Sequence, residues 1–153
     1  MLKFLGVDDV IDIHDSILAS EPGSKGAYLD RVDAVVGRIE REEDYQGFES
    51  AFHLAAAYIE AFAVGHAFVD GNKRTAFACG MIILEMNGFP VPDEIKDAMG
   101  RDSSAWSQIV VKLVERKINR GHLINLMMFT YLATAGAIGI VKLTEWIRDK
   151  LSD

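Results

Sequence analysis

The sequence predicts an all-α fold, and three features of the chain support this prediction. Apolar residues recur at helical spacing over most of the 153 residues. Short clusters that contain glycine or proline separate these stretches from one another. No alternation of apolar and polar residues is long enough to predict more than a very short strand. We therefore expect a single domain over 1–153, in which amphipathic helices surround two buried ones.

The first half of the chain contains the clearest helices. The range 7–18 has helical spacing and ends at the cluster EPGSKG, and the range 29–39 carries the apolar stripe of a second helix. The following EDYQGFE is predicted to interrupt the helical pattern. The ranges 50–65 and 72–86 are apolar on nearly all sides, which predicts two central helices, and the sequence NGFPVP ends the second of them.

Shorter elements are predicted in the rest of the chain. Helices are expected over 92–99, 104–118 and 141–151. The uncharged stretch 123–141 allows two interpretations, because its length is roughly that of a membrane span. Its glycines disfavour a continuous helix, so we expect a buried helix followed by a turn and no membrane span.

Composition excludes several functional classes. The formal net charge of −7 argues against general nucleic-acid binding, which depends on cationic contacts with phosphates. Cys79 is the single cysteine and lies in an apolar run, so we interpret it as a core residue. One cysteine suits a reducing compartment, and the N-terminal sequence MLKFLGVDDV lacks the pattern of a signal peptide. These features predict a cytoplasmic protein.

The stretch GHAFVDGNKRTAF concentrates polar groups between the two central helices. Gly71 and Asn72 fall at the start of the second helix, where unpaired backbone N–H groups and the helix dipole favour an anion. Glycine lets a phosphate approach the main chain, and Lys73 and Arg74 add cationic donors. The stretch therefore predicts a phosphate-binding site.

Two further groups complete the predicted site. Asp70 supplies one hard oxygen ligand, which is sufficient for Mg²⁺ that is also bound to phosphate. Histidine is the side chain best suited to proton transfer at neutral pH, so His66 is the candidate general base, while Phe68 is expected to hold the loop in the core. Each group alone also fits a structural explanation, such as a helix cap or a solvated charge. Their concentration between two apolar helices favours a shared function.

The string HAFVDGNKRT resembles the signature H-x-F-x-(D/E)-(A/G)-N-(G/K)-R of the Fic/Doc superfamily. The likeness is strongest to the Doc (death-on-curing) toxin branch, in which lysine follows the asparagine. VDDVIDIHD and MIILEMNGFPVP also resemble Doc proteins, so the resemblance covers 5–92. It implies a Fic/Doc-like helical bundle with two central buried helices joined by the motif loop. It also implies that His66 is the general base, that Asp70 holds Mg²⁺, and that Asn72, Lys73 and Arg74 bind the phosphates of ATP.

The resemblance further implies a toxin of a toxin–antitoxin pair. Such a toxin would transfer the terminal phosphate of ATP to a hydroxyl of translation elongation factor Tu, and an antitoxin segment would bind in a groove near the motif. Three positions depart from the AMP-transferring branch: Ala67 replaces proline, Lys73 replaces glycine and Phe77 replaces a second arginine. AMP transfer and a binding role without catalysis remain alternatives, and the oligomeric state stays open.

The segment 42–49 and four other residues allow weaker interpretations. The family places a target-docking flap at this segment, where Tyr45 and Phe48 would clamp a peptide; the alternative is a polar loop whose aromatic rings cover the domain edge. We expect structural roles for two histidines and two tryptophans: His14, His53, Trp106 and Trp146.

Overall fold

The computed structural model describes residues 1–20, 22–91, 93, 105–133 and 147–148. The helices in chain order are α1 (Val7–Ser20), α2 (Leu29–Gln46), α3 (Ala51–Val64), α4 (Asn72–Met86) and α5 (Ala105–Val114). A further helical segment covers 120–133. The β contact within these ranges is an isolated antiparallel bridge between Ala27 and Phe68. The predicted all-α fold is confirmed for the described part of the chain.

Helices α3 and α4 form the centre of the molecule, as the sequence predicts. Most side chains of α3 are buried, and Cys79 and Ile83 of α4 have no exposed surface. A Cβ atom placed on Gly80 would lie only 2.5 Å from Cδ1 of Ile59, so the two helices are in close contact at this position. Burial raises the pKa of the Cys79 thiol to about 12, which confirms its interpretation as a core residue.

The surrounding helices pack their apolar stripes against this pair. The buried residues of α2 are those of the predicted stripe: Val32, Val35, Val36 and Ile39. The N-terminal segment is held through Tyr58, whose hydroxyl donates to the carbonyl of Leu5 at 2.7 Å and accepts from its N–H at 3.0 Å. Trp106 is half-buried with its ring centroid 6.0 Å from that of Phe77, in agreement with a structural role.

Two predicted helix ends are wrong. The segment EDYQGFE does not interrupt α2 where expected, because its first residues are compatible with a helix and α2 continues to Gln46. Gly47, with a φ of 73°, ends the helix by donating to the carbonyls of Glu42 and Glu43. Helix α5 ends at Val114 and not at 118, since Arg116 adopts a φ of 59°.

The remaining predictions concern the C-terminal third. The expected helices over 92–99 and 141–151, the range 134–141 and Trp146 lie wholly or mostly outside the described residues. Among the helices that the structure describes, none has the length and apolar character needed to cross a bilayer. The segment 120–133 instead packs Leu123 and Met127 into the core.

Candidate functional site

The motif loop, residues 65–71, ends at Gly71, whose left-handed backbone conformation directly precedes the N-terminus of α4. Gly71 has a φ of 76°, which favours glycine, and the first hydrogen bond of the helix runs from the Thr75 N–H to the Gly71 carbonyl at 2.9 Å. The N–H groups of Asn72 and Lys73 make no hydrogen bond to any residue that the structure describes. These two donors are oriented along the helix axis and are suited to an anion.

The side chain of Asn72 holds the motif loop in shape. Its Oδ1 accepts from the N–H of Phe68 and its Nδ2 donates to the Phe68 carbonyl, both at 3.0 Å. The Phe68 ring is buried, as predicted, and stacks on the ring of Phe62 at a centroid distance of 6.3 Å. The sequence did not predict this loop-holding role for Asn72, and its contact with phosphate stays a prediction.

His14 of α1 contacts the motif loop from its buried side. Its fully buried ring stacks on Phe68 with a centroid distance of 3.9 Å, and its Nε2 lies 2.9 Å from the carbonyl oxygen of Asp70. The expected structural role of His14 is confirmed. Its partners in the motif lie more than fifty residues away in the sequence, so the spacing of α1 gives no indication that this histidine contacts the motif.

The carboxylate of Asp70 is held by backbone donors. Oδ1 accepts from the Gly71 N–H at 2.7 Å and Oδ2 accepts from the Ser24 N–H at 3.1 Å. These two hydrogen bonds, first that of Ser24 and then that of Gly71, hold the pKa of Asp70 below its usual range. Asp70 is therefore ionised at neutral pH, as a cation ligand must be.

The connection between α1 and α2 also contacts the motif. Both terminal nitrogens of Arg74 donate to the Pro22 carbonyl, at 3.2 and 3.3 Å. A Cβ atom on Gly23 would lie 2.9 Å from Oδ2 of Asp70, so only glycine allows this close approach. The sequence EPGSKG was interpreted solely as the end of a helix, and its contacts with the motif were missed.

His66 adopts an unusual backbone conformation for a residue with a side chain. Its φ is 48°, a left-handed conformation that costs about 1–2 kcal/mol in a non-glycine residue. Its carbonyl accepts from Nη1 of Arg31 at 3.1 Å, whereas its exposed imidazole has no hydrogen-bond partner among the described residues. Strained backbone of this kind is concentrated at functional sites.

A cleft of about 640 Å³ lies beside the start of α4, and we call it the motif cleft. Residues of one wall belong to the motif: Val69, Asp70, Gly71, Asn72, Lys73 and Arg74. Residues of the other wall belong to α5 and the turn after it: Ser107, Gln108, Val111, Lys112, Glu115 and Lys117. The structure thus brings five of the six predicted site residues together, and His66 lies outside the lining. The second wall was not predicted.

The motif cleft is cationic on an acidic protein. Among the residues that the structure describes, its lining contains four basic side chains (Lys73, Arg74, Lys112 and Lys117) and two acidic ones (Asp70 and Glu115). The balance is +2, whereas the formal net charge of the whole chain is −7. Local positive charge of this kind attracts an anionic ligand.

The residues present fit a Mg²⁺ ion that arrives with phosphates. Within the described ranges, no group of three or more His, Cys, Asp or Glu side chains forms a metal site. Asp70 offers a single ionised carboxylate in the same cleft lining as the cationic side chains of Lys73 and Arg74. One carboxylate with phosphate oxygens and water is the coordination that Mg²⁺ prefers, so Asp70 is suited to a nucleotide-bound ion and not to a protein-enclosed one.

The segment 42–49 does not form an extended edge. Its first five residues complete α2, and Tyr45 is 95% exposed on the last turn. Phe48 is half-buried, with its ring centroid 6.3 Å from that of Phe4. Strand pairing with a target would need an extended segment with unpaired backbone groups, so the docking interpretation does not fit this conformation, and Phe48 covers the domain edge.

Comparisons with known proteins agree with the position of the motif. Residues 4–84 match the family model described as "Fic/DOC family". The chain is 29% identical over 120 residues to "Protein kinase doc" of Escherichia phage P1, covering 78% of this chain and 95% of that protein. It is 32% identical over 89 residues to "Toxin Doc" of Mycolicibacterium smegmatis (strain ATCC 700084 / mc(2)155), covering 58% of this chain and 67% of that protein.

Proposed function

The chain belongs to the Fic/DOC family, and on this premise we propose that it is a Doc-like toxin with ATP-dependent protein kinase activity. The observation that carries the proposal is the motif cleft, where Asp70, Lys73, Arg74 and the first N–H groups of α4 converge. Similarity to proteins named "Protein kinase doc" and "Toxin Doc" supports the same function.

In the proposed mechanism, the motif wall positions the phosphate chain of ATP. The N–H groups of Asn72 and Lys73 and the side chains of Lys73 and Arg74 neutralise phosphate charge. Asp70 would hold Mg²⁺, which screens the phosphates when bound. His66 removes the proton from the protein hydroxyl that attacks the terminal phosphate, the bond between the terminal and middle phosphates breaks, and ADP leaves. The exposed imidazole of His66 leaves access for a macromolecular substrate.

Position 77 favours phosphoryl transfer over the alternative of AMP transfer. The AMP-transferring branch is expected to use a second arginine there, but Phe77 is buried in the core against Trp106 and provides no donor to a phosphate. Lys73 adds a cation at a position where that branch has glycine, and it lines the motif cleft. Both differences favour a nucleotide placed with its terminal phosphate next to His66.

The partners follow from the family resemblance. We propose that an antitoxin segment binds near the motif and silences the toxin, and that the target is a bacterial cytoplasmic protein, with elongation factor Tu as the first candidate. A purely binding role is the remaining alternative. Coexpression with the product of the neighbouring gene is expected to raise the yield and give a stable complex on gel filtration.

The test of the reaction is labelling with two forms of ATP. Purified protein is incubated with a bacterial lysate and with ATP labelled on either the terminal or the innermost phosphate, and a His66→Asn variant is the control. Transfer only from the terminal position supports a kinase. Transfer only from the innermost position makes the protein an AMP transferase, and no transfer from either position supports the binding role.

A further inference from the structure

Helix α5 presents two faces with different surroundings. Val110 and Leu113 are buried in the core, and Trp106 and Ile109 pack against the same core. Ser107, Gln108, Val111 and Lys112, on another face, line the motif cleft. The apolar face therefore fixes the orientation of the polar face towards the residues of the motif.

Lys112 is the cation that this wall offers to a ligand. Its side chain is exposed and has no ionic or hydrogen-bond partner in the part of the chain that the structure describes. Lys117, the other lysine of the wall, is already paired with Glu115 at an Nζ–Oε2 distance of 2.7 Å. Lys112 thus adds a positive charge, unpaired among the described residues, to the same cleft lining that contains Lys73.

Lys112 is not needed to complete the end of its own helix. A lysine in a last turn often satisfies helix carbonyls, but backbone donors already occupy the carbonyls of Val111, Lys112 and Leu113 in α5. The Lys117 N–H bonds the Lys112 carbonyl at 2.8 Å, and the Arg116 N–H bonds the Leu113 carbonyl at 3.1 Å. The ammonium group is consequently available for another anion.

We propose that α5 forms the second wall of the nucleotide site and that Lys112 binds the phosphate chain from the side opposite Lys73. This inference rests on the proposed function and extends it to 105–117, beyond the range 4–84 that matches the family. The cleft volume of about 640 Å³ lies within the usual range for small-molecule sites. A polyphosphate held between two cationic walls has its charge neutralised on both sides.

The test measures the affinity of the purified full-length protein for Mg²⁺–ATP and for tripolyphosphate by calorimetry. Lys112→Gln is expected to raise the Kd for both ligands roughly 5- to 10-fold at low salt, since a partly exposed charge-assisted contact is lost. The matched control is Lys3→Gln, the same change at an exposed lysine beside Asn87, at the opposite end of α4 from the motif. This control is expected to leave both affinities unchanged.

Two other outcomes separate the inference from the proposed function. Wild-type binding that Lys112→Gln leaves unchanged, or that both lysine variants weaken equally, overturns the role of Lys112 and leaves the kinase proposal intact. A wild-type protein that binds neither ligand overturns both proposals. Thermal unfolding without ligand is measured in parallel, and a Lys112→Gln variant that loses stability but keeps its affinity assigns the lysine to the helix end alone.

Discussion

The interface between α3 and α4 and the loop that joins them follow different physical rules. In the interface, apolar side chains are buried and Gly80 allows the Ile59 side chain to approach its backbone. In the loop, polar groups are held one by one through hydrogen bonds to backbone atoms, as with Asn72 and Asp70. Some groups in the loop and at the start of α4 do not favour stability. His66 has a left-handed backbone conformation, and the N–H groups of Asn72 and Lys73 have no partner among the described residues. The difference indicates that the interface provides stability, part of which offsets the cost of holding the loop in its conformation.

The largest expected effect is on the phosphotransfer rate of a His66 variant, whose stability should not change. His66→Asn should lower the phosphotransfer rate about 100-fold or more, because asparagine cannot act as a general base. Asparagine tolerates the left-handed conformation, so the free energy of unfolding should stay close to that of the wild type. Labelling rates and urea unfolding of the same preparations measure both quantities. A variant that transfers phosphate at the normal rate removes His66 from the mechanism.

The second prediction addresses the interface. Gly80→Ala should lower the free energy of unfolding by about 1–3 kcal/mol, since the new methyl group would overlap the fully buried Ile59 side chain. The measurement is urea unfolding followed by circular dichroism.

The matched control for Gly80 is Gly37, which lies in the interior of α2. A Cβ atom there would meet only the mobile end of Arg41, at 3.3 Å. Gly37→Ala should therefore raise the free energy of unfolding by up to about 1 kcal/mol, because alanine is the better helix former. If both substitutions change stability in the same direction, close packing at Gly80 does not explain its presence.

The smallest expected effect lies where the loop meets the helix. The hydroxyl of Thr75 is fully buried and makes no hydrogen bond to any residue that the structure describes, which is unfavourable for a polar group. Thr75→Val should raise the free energy of unfolding by about 1 kcal/mol, measured by urea unfolding. Thr75→Ser, which keeps the hydroxyl and loses a methyl group, should lower it. Destabilisation by valine would show that the hydroxyl contributes favourably despite its isolation.

The sequence predicted the local features of the site and missed those that come from distant segments. The helix α4, the buried Phe68 and the clustering of Asp70 with Lys73 follow from periodicity and from short spacing along one loop. The contact of His14 with the motif, the approach of Gly23 to Asp70 and the wall formed by α5 depend on how helices pack. Contacts between segments that are distant in the sequence cannot be predicted from the apolar periodicity of any one segment.

The errors at helix ends have a related cause. The end of α2 is set by one glycine, and the polar residues before it are as compatible with a helix as with a loop. The end of α5 depends on a left-handed arginine, a conformation that composition does not reveal.

Arg120 connects the C-terminal part of the chain to helices α2 and α3. Its guanidinium binds Oε1 of Glu60 on α3 at 3.0 Å and also binds Glu42 on α2. Both carboxylates are more than half buried, and both belong to the segment that matches the family, whereas their cation does not. A protein truncated after 84 would keep both acidic side chains and lose the cation that binds them together with the segment that carries it. The boundary of sequence similarity is therefore an unsuitable place to cut this chain.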